Sequence, residues 1–140
     1  MPKRILPDDP AVRSEYPLAE GLFFYFPAAL CEVARWSKVG GAKYNGEGGS
    51  LRWIREVSVD HENKILRHLL DARQVDEHGF VEAVALAWRA LALCQTILEE
   101  HGWAEGANAK REEASGKVVI IPPEHDIKDY NHLGEYKHAR

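Results

Sequence analysis

HENKILRHLLDARQVDEHGFVEAVALAWRALALCQTILEE, residues 61–100, decides how this chain reads. Two helical segments flank a short acidic turn. The first, about residues 61–73, has Asp60 as N-cap and carries Glu62, Ile65, Leu66 and Leu69 on one stripe. His61, Lys64, His68 and Asp71 fall on a neighbouring stripe at spacings of three and four. The second segment, about 77–101, is capped by Asp76 and stopped by Gly102. Between them VEAVALAWRALALCQTIL is apolar nearly all round, the pattern of a central helix. Covering it fully in so small a protein calls for a second subunit.

Working toward the N-terminus, LRWIREV at 51–57 predicts no more than a helical turn. Before it GGAKYNGEGGS, residues 40–50, is glycine-rich enough to predict a loop. PAALCEVARWSKV predicts a helix with Pro27 in its first turn, Leu30, Val33 and Ala34 on one face, and Gly40-Gly41 as its stop. The aromatic run Leu22 to Phe26 fits a short strand, a helix lead-in or a dimer contact, and periodicity does not choose among them. Residues 1–20 are proline-broken and read as an extended arm. Downstream, 103–117 is a solvated linker, and KVVIIPP a short strand or extended arm. The expected fold is all-α: a small bundle of three main helices plus a short one, completed by oligomerisation. An arm over 1–20, a helical catalytic domain over 21–102, and a linker with C-terminal arm over 103–140 make up the chain.

A length of 140 residues suits one domain with a real core, and 45% hydrophobic with 29% charged residues is ordinary globular composition. The net charge of -4 disfavours a nucleic-acid partner. Cys31 and Cys94 lie in apolar runs and are expected to be buried thiols, as in a reducing cytoplasm. The opening MPKRILPDDP is no secretory signal, and no apolar run approaches the roughly 20 residues that span a bilayer. A soluble cytoplasmic protein follows.

His68, Asp71, Asp76, Glu77, His78 and Glu82 crowd around the acidic turn. Helical spacing puts His68 beside Asp71, Glu82 follows a short reversal, and Glu32 completes the set if its helix packs alongside. Carboxylates with one imidazole suit Mg²⁺ or Mn²⁺ better than a structural zinc. Acids at a helix N-terminus also cap free amides, and that explains Asp76 and Glu77 without a metal. Lys43, in the glycine-rich stretch, is placed to meet phosphate, although the P-loop spacing is absent. Trp53 offers a surface for a purine to stack on, whereas Trp36 and Trp88 read as core. Arg67 suits either a phosphate or a surface ion pair. The doublet within Glu124-His125-Asp126 lacks the supporting histidines of an HD-type phosphohydrolase and reads as incidental.

PAALCEVARWSKVGGAKY, then Trp53, then RHLL at 67–70, then EHGFVEAVALAWRALALCQTILE stand in an order that resembles the phage-encoded dATP/dGTP pyrophosphohydrolase family. That family belongs to the wider all-α, MazG-like nucleotide pyrophosphatases. The resemblance covers roughly residues 27–100. It implies hydrolysis of a purine deoxynucleoside triphosphate to monophosphate and pyrophosphate with Mg²⁺ or Mn²⁺. By position it implies Glu32, Asp71, Glu77 and Glu82 as metal ligands, with Glu82 and His68 at the chemistry and Lys43 near the phosphates. A homo-oligomer, dimer or tetramer, in the host cytoplasm of a phage is the setting it implies. Two other classes stay open: a non-catalytic helical interaction module, and a different metal-dependent nucleotide phosphohydrolase.

Overall fold

A computed structural model describes residues 4–46, 48 and 51–106. The described chain is mostly helical and forms no strands, as expected for an all-α protein. Its elements run α1 (Pro10–Arg13), a π-helical turn (Ala19–Phe23), α2 (Pro27–Asn45), a 3-10 turn (Arg55–Val57), α3 (His61–Leu70) and α4 (Glu82–Glu100). Helix α4 is central, packing most extensively on α3 and next on α2.

Pro27 begins α2, where its missing N–H costs nothing. The helix does not stop at Gly40-Gly41 but runs on to Asn45. Both glycines are buried, and a Cβ on Gly41 would lie 2.5 Å from Leu51 Cδ1. Gly41 therefore lets the returning chain close on the helix flank; the turn of chain comes at Gly46, whose φ is 76°. The expected 40–50 loop is thus helix over its first half. Val33, Trp36, Ser37, Gly40 and Tyr44 form the inward stripe, with Trp36 fully buried.

Asp76 does not cap α4. Its Oδ1 accepts from the backbone amides of His78 (2.8 Å) and Phe80 (3.0 Å), and Gly79 turns beyond it with φ 83°. This tight turn delays α4 to Glu82 and drives Phe80 into the core beside Trp36, Val84 and Ala85. The first amides of α4 are then satisfied by the chain leaving α3: Glu82 N donates to Gln74 O (2.8 Å) and Ala83 N to Ala72 O (3.0 Å). The 3-10 turn at 55–57 and the stop at Gly102 (φ 96°) fall where the sequence put them.

Two further expectations are corrected, and the alternatives left open for Leu22 to Phe26 narrow to the helix lead-in. Cys31 and Cys94 are exposed, because each lies on the outward side of its helix. The arm over the first twenty residues contains α1, held by Asp9 Oδ1 accepting from Ala11 N (2.9 Å). The run Leu22 to Phe26 is no strand: it closes a π-helical turn and leads into α2, with its side chains exposed. KVVIIPP and Glu124-His125-Asp126 lie outside the described residues. No helix among the described residues is long and apolar enough to cross a membrane.

Candidate functional site

Helix α3 packs with its polar stripe inward. His61, Lys64 and His68 are buried at i, i+3 and i+7, while Leu66, Leu69 and Leu70 are exposed. The leucine-bearing stripe therefore points outward, with Ile65 half-buried at its edge, and its neighbour faces α4. What α4 offers in return is Glu82 at its first residue and Arg89 two turns on, the latter fully buried.

His68 Nδ1 lies 2.9 Å from Glu82 Oε2, with both side chains largely out of solvent. A carboxylate accepts, so this contact places a proton on Nδ1, and Nε2 is the nitrogen at which the ring can exchange one. Arg89 Nη1 donates to Ser58 Oγ (3.1 Å) and approaches His61 Nδ1 at 3.4 Å. Lys64 Nζ donates to Val59 O (2.5 Å). Burial first, and then the Arg89 and Lys64 charges, push the His61 imidazole down to about 4. His61 is thus a neutral acceptor between two cations.

Above this interface lies an aromatic cavity of about 340 Å³. Trp53 and Trp88 meet edge to face in its wall, 5.6 Å between centroids, and Tyr44 and Leu51 add further apolar surface. Ser37 on α2, Gln95 on α4 and Arg52 add polar groups to the lining. His61 reaches both indoles, 6.4 Å from each, and so joins the cavity to the charged interface. A volume of this size, mostly apolar with few polar groups, is that of a small-molecule pocket.

The residues read from sequence distribute as follows. His68 and Glu82 are brought together, and Trp53 lines the cavity. Glu32 is engaged on α2, accepting two bonds from Arg35 (2.9 and 2.8 Å), and that guanidinium holds its carboxyl below the usual range. Arg35 in turn lies 3.9 Å over the Phe80 ring and feels Asp76, so α2 does pack beside the acidic turn. Asp71 ends α3 in an exposed position, and Glu77 is exposed in the turn. Arg67 is exposed in the last turn of α3, and Lys43 is exposed in the last turn of α2. Among the described residues no group of three or more His, Cys, Asp or Glu is placed to hold a metal ion.

The sequence does not single out Arg89, Ser37 or Gln95, and it shows Lys64 only as a member of the polar stripe. The spacing of His61, Lys64 and His68 was visible, but leucines on the next stripe outweighed it as a core signal. Arg89 and Gln95 were hidden inside a run read as uniformly apolar. Compared with known proteins, the chain matches no family model, no curated protein and no solved structure.

Proposed function

We propose that the chain hydrolyses purine deoxynucleoside triphosphates to the monophosphate and pyrophosphate. The observation that carries this reading is the buried His68–Glu82 pair at one end of the α3–α4 interface with an aromatic cavity at the other. Glu82 and Trp88 are six residues apart on α4, about 9 Å along a helix. That separation accommodates a base in the cavity with the triphosphate extended toward the pair. Water adds at the α-phosphorus, the α–β phosphoanhydride bond breaks, and pyrophosphate leaves. His68 Nε2, enclosed in the folded chain, takes the water proton once the triphosphate opens this end of the α3–α4 interface, and Glu82 holds the ring in the orientation that permits it. Arg67, next to His68 on α3, stands at the surface for the outer phosphates, with Trp53 against the base; Lys43, two residues beyond cavity-lining Gly41, stands at the base end.

The described donors of one copy fit a divalent ion in part. Mg²⁺ is commonly held by one or two carboxylates together with the substrate's phosphates, so Glu82 with the triphosphate oxygens suits it, or Mn²⁺, without an all-protein cage. Bound there, the ion would neutralise phosphate charge and polarise water. Asp71 and Glu77 remain ligands to be supplied from the exposed rim, and Glu32 only after leaving Arg35.

Incubation with each deoxynucleoside triphosphate and Mn²⁺, followed by product identification, tests the reading. Monophosphate with pyrophosphate supports it. Nucleoside with triphosphate would instead assign a different phosphohydrolase. The exposed Leu66, Leu69 and Leu70 favour a second reading, a non-catalytic helical interaction module. No turnover, with a melting temperature unmoved by nucleotide and metal, would point there. The same leucines support a homo-oligomer, dimer or tetramer.

A further inference from the structure

The cavity wall carries a fixed pattern of hydrogen-bonding groups. Gln95 Nε2 donates to Glu99 Oε2 (2.8 Å) and reaches Ala104 O at 3.5 Å. Because a carboxylate only accepts, the atom facing Glu99 must be the amide nitrogen, and the Gln95 amide cannot be reversed. Glu99 is itself immobilised: Arg55 donates to both its oxygens at 2.5 and 2.6 Å, with both side chains nearly out of solvent. Arg55 also stacks 4.2 Å over the Trp53 ring, tying this ion pair to the cavity's aromatic wall. With both amide hydrogens directed to Glu99 and Ala104, Gln95 has its carbonyl Oε1 left to offer a ligand.

Ser37 shows the same polarity. Its hydroxyl donates to Val33 O (3.1 Å) and accepts from Trp88 Nε1 (2.8 Å), which leaves an oxygen lone pair. Ser37 on α2 and Gln95 on α4 therefore both have acceptor capacity left for a ligand, and Arg52 adds a donor to the same lining.

We propose that Gln95, oriented by Glu99 and Arg55, selects planar heterocycles that bear an exocyclic amino group, such as adenine-type bases, over the same rings without one. This inference rests on the reading of the cavity as the base site. A ring with an N–H₂ edge satisfies Gln95 Oε1, whereas a ring lacking it strips water from that carbonyl and returns nothing.

The test follows the indole N–H resonances of the ¹⁵N-tryptophan-labelled full chain in EDTA. It is titrated with dATP and with purine 2′-deoxyriboside 5′-triphosphate, which lacks the amino group. We expect dATP to bind about tenfold more tightly, and Gln95→Met to collapse the difference by weakening dATP alone. Glu99→Gln, which no longer dictates the Gln95 orientation, should narrow the gap and serves if Gln95→Met does not fold. Equal affinity for the two nucleotides, or a gap that survives in the variants, overturns the inference even if dATP is hydrolysed. Conversely, the amino preference without turnover upholds the inference and sinks the hydrolase reading. Unmoved indole resonances with either nucleotide overturn the inference together with the base site it rests on.

Discussion

His68 Nδ1 and Glu82 Oε2, fourteen residues apart in sequence, lie 2.9 Å apart across the α3–α4 junction. The contact depends on the hairpin between them, in which Val75 and Val81 form a bridge and Gln74 O receives the Glu82 amide. Local backbone bonding thus sets the geometry of the candidate catalytic pair.

Glu82→Gln keeps a hydrogen-bonding group opposite His68 but removes the charge. Turnover should fall at least about 100-fold, the range for loss of positioned acid–base function. The Gln74–Glu82 backbone bond is untouched, so circular dichroism and the melting curve should change little. Activity retained in the variant would remove Glu82 from the chemistry.

Phe80 is the core residue that the Asp76 turn delivers, 1% exposed and stacked under Arg35. Phe80→Ala should cost about 3–5 kcal/mol, the usual loss for a large core aromatic, measured by urea unfolding. Less than about 1 kcal/mol would mean the turn is not pinned by its burial.

His61 makes stability pH-dependent in a stated direction. In the folded chain its imidazole is held down to about 4, against an ordinary 6.5 in the unfolded chain. Between these values the unfolded state binds the extra proton, so stability is complete above about pH 6.5 and declines as pH falls toward 4. The full loss is about 3 kcal/mol on the linkage conversion for such a shift. Urea unfolding across pH 4–7.5 should show this slope, and His61→Phe should flatten it. A native curve already flat over that range would refute the burial argument.

How much of this was legible in the sequence depends on which signal dominated locally. Existence and order of the main helices followed from periodicity and stop residues. The facing of α3 did not, because leucines at helical spacing normally mark a core, and here they mark the outside. Gly40-Gly41 read as a stop from composition alone, whereas the close approach of Leu51 to Gly41 is a long-range fact. Of the candidate site, His68, Glu82 and Trp53 were recoverable from residue type and spacing. Arg89, Lys64 and Gln95 were not, since only the packed interface shows that these side chains are buried or turned to the cavity.

Gly41→Ala separates stability from binding. The new methyl would meet Leu51 Cδ1 at 2.5 Å, and that mobile side-chain tip must give way, toward the cavity both residues line. Alanine also favours the helix by up to about 1 kcal/mol, so the two effects on stability oppose each other. The melting temperature should move by only a few degrees while nucleotide affinity drops several-fold. Unchanged affinity would show that the cavity is not where nucleotide binds.

Leu66, Leu69 and Leu70 form one outward patch on α3, at 59, 56 and 84% exposure. Burying a leucine contributes about 1.5–3 kcal/mol, and α3 already spends its inward face on charged and polar groups. A second copy meeting these leucines would recover that stabilisation for both chains. Light scattering should give a dimer or tetramer for the native chain at micromolar concentration. Leu69→Glu should shift it to monomer, since that side chain is directed away from the chain's own core. A native chain that runs as a monomer at these concentrations would remove the oligomer, and with it the proposal that a second copy covers the face that α3 turns outward.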